Sequence, residues 1–144
     1  MIWPRRKKLQ KRHLKGEPST RTEAFACCPV KNREVLEEEV EGGAVVLTYP
    51  LVIRPWLATV AERLGLRSRE PLTRRLQLDE MGSLTWSLLD GKRTVKDVVD
   101  FLCRRYKLNR REAEVATTGF LRELGKRGLV GLRSPHEDNR EKST

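Results

Sequence analysis

The chain has few of the residues on which catalytic and metal sites depend. It has two histidines, His13 and His136, and both lie in polar terminal segments. Its three cysteines are the adjacent Cys27 and Cys28 and the distant Cys103, and they do not form the Cys-x2–4-Cys pairs of zinc sites. Reduced thiols of a cytosolic protein fit this spacing better than a disulfide framework or a bound metal.

Long apolar runs are missing as well. The longest strongly apolar stretch, residues 44–53, is interrupted by Thr48, Tyr49 and Pro50. No run approaches the roughly 18–20 apolar residues of a membrane-spanning helix. No apolar segment typical of a signal peptide follows the basic start of the chain. We therefore expect a cytosolic protein.

Catalytic motifs are absent too. The sequence contains no Gly-x-Ser-x-Gly turn, no glycine-rich phosphate loop and no His-Glu-x-x-His pair. The acidic run 37–39 falls on a predicted strand, where successive side chains point to opposite faces and cannot converge on one ion. The sequence therefore predicts a non-enzyme with no catalytic residue, no metal and no cofactor.

Charge is abundant but unevenly distributed. The chain carries 30 Lys and Arg against 20 Asp and Glu, a formal net charge of +10. Residues 1–16 contain seven basic and no acidic side chains, so residues 17–144 have a net charge of only +3. A basic arm of this kind is either a solvated, disordered terminus or a contact for nucleic acid, anionic lipid or an acidic protein surface.

Three strands are predicted in the first half of the chain. Residues 33–40 and 44–49 flank Gly42-Gly43, and two strands around a Gly-Gly turn predict a hairpin. Residues 73–78 alternate in polarity and predict a third strand. Between the second and third strands, residues 51–72 show helical spacing of apolar residues and predict an amphipathic helical insertion.

Three helices are predicted to follow these strands. Each begins at a residue whose side chain commonly caps a helix, namely Asp79, Thr94 and Asn109. Gly91 and Gly128 are positioned to end the first and the third helix. The predicted fold class is therefore α+β, a small winged-helix-like domain with a three-stranded antiparallel sheet followed by three helices.

This predicted fold permits two kinds of recognition. In one, the third helix enters the major groove of DNA, but Glu112, Glu114 and Glu123 interrupt its basic residues and would meet phosphate repulsively. In the other, an extended peptide pairs with the open edge of the strand over residues 73–78 and lies against the third helix. Nucleic-acid binding is thus the alternative, and peptide binding is the preferred interpretation.

The peptide-binding interpretation assigns roles to the third strand and to the outward face of the third helix. The strand would supply backbone pairing, and the helix would supply side chains that select the peptide. Arginines in both sets suit a peptide with acidic residues. The predicted peptide-binding residues are Arg74, Arg75, Leu76, Gln77, Leu78, Arg111, Val115, Thr118 and Arg122.

A motif in the second half of the chain carries a family resemblance. It consists of Leu78-Asp79, a helix of small residues with a late Trp86, and then Asp90-Gly91-Lys92-Arg93-Thr94-Val95. This pattern resembles the PqqD family. The downstream Phe120-Leu121-x-x-Leu124 and Gly128-Leu129-Val130 are similar to the final helix and closing segment of that family.

The resemblance implies a RiPP recognition element, a module that binds ribosomally made precursor peptides. Such domains are similar to winged helices and bind the leader of the precursor as an added strand between their third strand and third helix. They deliver it to a radical SAM or other peptide-modifying enzyme. The named member serves pyrroloquinoline quinone biosynthesis, and relatives act on other peptides.

The implied partners are therefore a precursor peptide and a peptide-modifying enzyme. Neither nucleic acid nor membrane is an expected partner, while open sheet edges permit pairing between two copies. The predicted organisation is a basic, disordered arm over residues 1–28, a PqqD-like domain over 29–132 that includes the insertion 51–72, and a polar tail over 133–144.

Overall fold

The computed structural model describes residues 20–51, 60, 62–65 and 72–135. The fold is α+β, in which four consecutive strands are followed by three consecutive helices. In chain order they are α1 (Arg21–Ala26), β1 (Cys28–Lys31), β2 (Leu36–Glu39), β3 (Val45–Pro50), β4 (Thr73–Gln77), α2 (Glu80–Ser87), α3 (Val95–Tyr106), α4 (Arg110–Lys126) and β5 (Val130–Arg133).

The predicted three-stranded antiparallel sheet is confirmed. Its order is β2-β3-β4, so β3 is the central strand and the other two strands are edges. Leu47 of β3 pairs with Leu76 of β4, and Val46 pairs with Glu38 of β2. The turn between β2 and β3 contains Gly42 and Gly43 at φ values of +92° and +81°, a backbone conformation that favours glycine.

The three predicted helices are also confirmed, and each starts at its expected cap. The Asp79 side chain accepts a hydrogen bond of 2.6 Å from the backbone N–H of Gly82 at the start of α2. Thr94 and Asn109 form reciprocal capping boxes with Asp97 and Glu112 at the starts of α3 and α4. These local interactions satisfy backbone donors that the first turn of a helix leaves free.

A single apolar core lies between the sheet and the helices. Side chains from β3, α2, α3 and α4 contribute to it, and burial of each large apolar side chain stabilises the fold by about 1.5–3 kcal/mol. The most completely buried large side chains of these elements are Leu47, Trp86, Val98, Val99, Leu102 and Leu124.

Residues 20–28 differ from the disordered arm that the sequence predicts. Thr20 and Glu23 form a capping box that begins α1, and the buried Cys27 ends it. The Cys27 carbonyl accepts a hydrogen bond of 2.9 Å from the N–H of Val95. β1 then pairs with β5 in a two-stranded antiparallel sheet, with Pro29 opposite Leu132. The physical reason for the difference is this long-range pairing. Residues 1–19 lie outside the described residues.

The predicted insertion and tail are described only in part. Within residues 51–72, Val60, Glu62 and Arg63 are helical, and the N–H of Leu64 donates a hydrogen bond of 3.1 Å to the Val60 carbonyl. The first residue of the predicted tail, Arg133, belongs to β5. The rest of both predictions lies almost entirely outside the described residues.

Candidate functional site

β4 is an edge strand, and its backbone pairing follows a clear alternation. The N–H of Leu78 donates to the Val45 carbonyl at 2.8 Å, and the N–H of Leu51 donates to the Leu72 carbonyl at 2.7 Å. In an antiparallel pair, alternate residues direct both backbone groups to the partner strand, so the residues between them direct theirs outward. No strand pairs with this outer edge in the part of the chain that the structure describes. The residues with outward backbone groups are Thr73, Arg75 and Gln77.

The side chains of β4 divide between the two faces of the sheet. Leu76 and Leu78 pack against the core, and Leu78 is buried. Arg75 lies on the opposite face, where its Nη2 is 3.3 Å from Oε2 of Glu38 on β2. Arg74 alternates onto the face of Leu76. The strand therefore presents a leucine pair and one arginine toward the helices.

α4 borders two cavities, one near each end of β4, and we call the two together the β4–α4 groove. The cavity near the N-terminal end of the strand contains Arg74 of β4, whereas the other is lined by α2, α3, α4 and Asp79, which follows the strand. At the C-terminal end of the strand, the cavity has a volume of about 160 Å³. Its lining is mostly apolar, with Asp79, Met81, Gly82, Thr85, Leu102, Ala116, Thr117 and Phe120.

The cavity at the other end of β4 is larger and basic. Its volume is about 420 Å³, and it brings Arg74 to the C-terminal end of α4. Arg74 has no ion-pair partner among the described residues. The lining residues are Tyr49, Pro50, Leu51, Arg74, Gly125, Lys126, Arg127 and Gly128. The groove is thus apolar at one end and positively charged at the other.

The predicted helix residues line a different cavity. Arg111, Val115, Thr118 and Arg122 lie in a space of about 570 Å³ between α4 and α1. At 3.6 residues per turn, these four side chains fall on the opposite side of α4 from Ala116 and Phe120. The structure therefore brings the predicted strand residues together, but it does not bring them together with the predicted helix residues. Whether the helix set contacts peptide stays a prediction.

The helix residues of the groove lie at the border of the core-facing side of α4. Phe120 is partly buried against the core, whereas Ala116, about one turn before it, is exposed. A helical pattern separates inward from outward positions, but it does not reveal which inward positions lie at an opening. Packing of α4 against α2, where Gly82 lies close to Phe120, creates that opening.

Residues 20–51, 60, 62–65 and 72–135 contain no group of three or more His, Cys, Asp or Glu side chains that could hold a metal ion. Cys27, Cys28 and Cys103 form no disulfide within the described part of the chain. No helix among these residues is long and apolar enough to cross a membrane.

Residues 71–130 match the family described as coenzyme PQQ synthesis protein D (PqqD). This match confirms the resemblance drawn from the sequence, and it spans β4 and α4, the two walls of the groove. The chain is also similar to a solved structure, "TbiB1 in Complex with the TbiA(beta) Leader Peptide", at a TM-score of 0.50 and 25% identity. That likeness covers 70% of this chain and 93% of the other. No curated protein matches the sequence significantly.

Proposed function

We propose that this protein is a peptide-recognition module. It binds the leader of a precursor peptide as an added strand on β4 and presents it to a radical SAM or other peptide-modifying enzyme. The observation that carries the proposal is the open edge of β4 beside α4, inside the segment that matches the PqqD family. The similarity to TbiB1, solved with a leader peptide, supports the same class of ligand.

Backbone pairing gives the complex its affinity. Thr73, Arg75 and Gln77 offer N–H and C=O groups at the edge, and each added hydrogen bond contributes about 0.5–1.5 kcal/mol. Strand addition of this kind is a common mode of peptide recognition. The peptide backbone satisfies edge groups that water otherwise solvates.

Selectivity comes from the two ends of the β4–α4 groove. An apolar side chain of the peptide packs against Ala116 and Phe120 at the small cavity. An acidic side chain of the peptide meets Arg74 at the basic cavity, where the guanidinium group favours a carboxylate. The module itself performs no chemistry on the peptide, and the modifying enzyme supplies the reaction.

Nucleic acid is the weaker alternative because the basic residues of α4 are interleaved with acids. Lys126 Nζ lies 3.1 Å from Glu123 Oε1, and Arg110 Nε lies 3.1 Å from Glu114 Oε1. A phosphate-binding face requires clustered, available cations.

The test is a titration of the ¹⁵N-labelled full chain with a precursor peptide encoded beside its gene. We expect amide shifts to concentrate at residues 73–78 and on the groove face of α4. Gln77→Pro should weaken binding, because proline removes an outward N–H and is tolerated on edge strands. Gln77→Ala keeps that N–H and is the matched control. Leu76 is unsuitable for proline, because its N–H points to β3.

Two results would contradict the proposal. One is a set of shifts confined to residues 1–19, with none at β4 or α4, because that pattern indicates attraction by the basic arm alone. The other is equal affinity of the Gln77→Pro and Gln77→Ala variants for the peptide, with both variants folded by their amide spectra.

A further inference from the structure

We infer that a second docking surface lies on the other side of α4, between α4 and α1. We call it the α1–α4 surface, and its occupant is an acidic segment of a partner protein that carries an apolar side chain. The inference goes beyond peptide recognition, because α4 separates this surface from the β4–α4 groove. Three observations support it: a depression between the two helices, exposed apolar side chains in that depression, and arginines there that form no ion pair among the described residues.

Two adjoining cavities form the α1–α4 surface. The first has a volume of about 570 Å³ and the second about 340 Å³. They share residues of both helices and therefore form one continuous depression. The shared lining residues are Ala24, Phe25, Thr118 and Arg122. A depression of this size accommodates several side chains of a docked segment.

Apolar groups in and around this depression are exposed. Val115 lies in the first cavity with 63% of its surface exposed, and Leu132 lies in the second with 42% exposed. Phe25 is partly buried and lines both. Exposed apolar side chains rimmed by charge are typical of surfaces that another chain covers.

The available charge on this surface is positive. Its carboxylate, Glu114, is already engaged by Arg21 of α1 and by Arg110, whose Nε lies 3.1 Å from Glu114 Oε1. Among the described residues, Arg111 and Arg122 form no ion pair. The surface therefore offers two guanidinium groups to carboxylates from outside.

The spacing of these arginines defines the geometry of the occupant. Arg111 and Arg122 are three helical turns apart on the same stripe of α4, a separation of about 16 Å at 1.5 Å per residue. Val115 and Thr118 lie between them on that stripe. An amphipathic helix with acidic residues at i and i+11 and leucines between them matches this arrangement.

The termini of the chain itself do not fit this description. Residues 1–16 carry seven basic and no acidic side chains, so the arginines would repel them. Residues 136–144 contain acids but no apolar side chain that could enter the depression. A second protein that supplies both acidic and apolar groups is therefore the occupant we assign.

The experiment uses a synthetic 18-residue amphipathic helix as the probe, with glutamates at positions 3 and 14 and leucines on the same face. Added to the ¹⁵N-labelled full chain, the probe should shift amides at residues 21–25 and 111–122 and leave 73–78 unchanged. The double variant R111E/R122E should weaken binding about tenfold or more, because two charge-assisted contacts are lost.

A matched control separates local contacts from net charge. R33E/R104E makes the same charge change at exposed positions that do not line the cavities, and it should bind the probe nearly as well as the natural chain. Equal weakening by the two double variants would overturn the inference, as would the absence of shifts at millimolar probe. Tighter probe binding after deletion of residues 136–144 would identify the chain's own tail as the occupant and would also overturn it. Gln77→Pro leaves probe binding unchanged, so failure here is distinct from failure of peptide recognition.

Discussion

Arg127 donates a hydrogen bond of 3.1 Å from its Nη1 to the hydroxyl of Tyr49, and this bond joins the end of α4 to the central strand β3. Tyr49 is 6% exposed, so its hydroxyl has little access to other partners. Both residues line the basic cavity that also contains Arg74. This side-chain contact therefore ties the end of α4 to the sheet next to Arg74, at the charged end of the β4–α4 groove.

Arg127→Ala should destabilise the fold more than Tyr49→Phe does. The alanine variant leaves a buried hydroxyl unpaired at a cost of about 1–3 kcal/mol, whereas phenylalanine removes the hydroxyl itself and costs about 0.5–1.5 kcal/mol. Urea denaturation of both single variants and the double variant measures these values. Strictly additive effects would show that the two side chains do not interact.

Gly82→Ala should destabilise the protein even though alanine favours helices. A Cβ at Gly82 would lie 2.9 Å from Asp79 Oδ1 and 3.3 Å from Phe120 Cε2. The variant must displace the cap of α2 or the ring at the apolar end of the groove, at a cost of about 1–3 kcal/mol. Gly119→Ala on α4 is the matched control.

A Cβ at Gly119 would have no atom within 4 Å. The Gly119→Ala variant should therefore be more stable than the natural chain by about 0.5–1 kcal/mol, because alanine favours helices over glycine. Thermal unfolding measures both variants. The interpretation is contradicted if Gly82→Ala is as stable as the natural chain.

The helices and the main sheet could be predicted because their signals are local. Asp79, Thr94 and Asn109 mark helix starts within three residues of their hydrogen-bond donors, and the Gly42-Gly43 pair fixes the turn of the hairpin. α1 carries the same kind of local signal, the capping box of Thr20 and Glu23, and the sequence interpretation missed it. β1 could not be predicted in this way. β1 becomes a strand through pairing with β5, roughly a hundred residues later in the chain, and no local pattern specifies that contact.

The same distinction between local signals and long-range packing applies to the candidate site. The edge position of residues 73–78 could be predicted because it follows from the alternation and order of the strands, while their contact with a peptide stays a prediction. The helix face next to β4 could not be predicted, because rotation of α4 about its axis is set by packing on α2 and α3. Outward residues such as Arg111 and Arg122 therefore turned toward α1, while Phe120 came to the groove.

Thr117→Val should stabilise the free protein. Thr117 is 1% exposed, and its Oγ1 has no hydrogen-bond partner among the described residues. Valine has nearly the same shape and removes the cost of an unpaired hydroxyl, so a gain of about 1 kcal/mol is expected. Urea denaturation measures it, with Thr117→Ala as a control that creates a cavity instead. A loss of stability in the valine variant would show that the hydroxyl has a partner.

Acid should release α1 from α4 before the rest of the domain unfolds. The hydrogen bond from Arg110, together with the charge of Arg21, holds the pKa of Glu114 below its ordinary value, although burial opposes this shift. A carboxyl with a lowered pKa stabilises the folded state above its ordinary pKa, and this contribution is lost as pH falls through the folded value.

Arg110, which holds Glu114, also donates a hydrogen bond to Asp100 on α3. Hydrogen-exchange protection of α1 amides should therefore decline below about pH 4.3, the ordinary range of a glutamate, while α3 and α4 stay protected. Glu114→Gln should remove most of this pH dependence and leave α1 less protected at neutral pH. Protection of α1 that is the same from pH 7 to pH 3 in the natural chain would show that the Arg21–Glu114 contact does not hold the helix. Packing of Phe25 and the hydrogen bond from Val95 to Cys27 would then be what holds α1 in place.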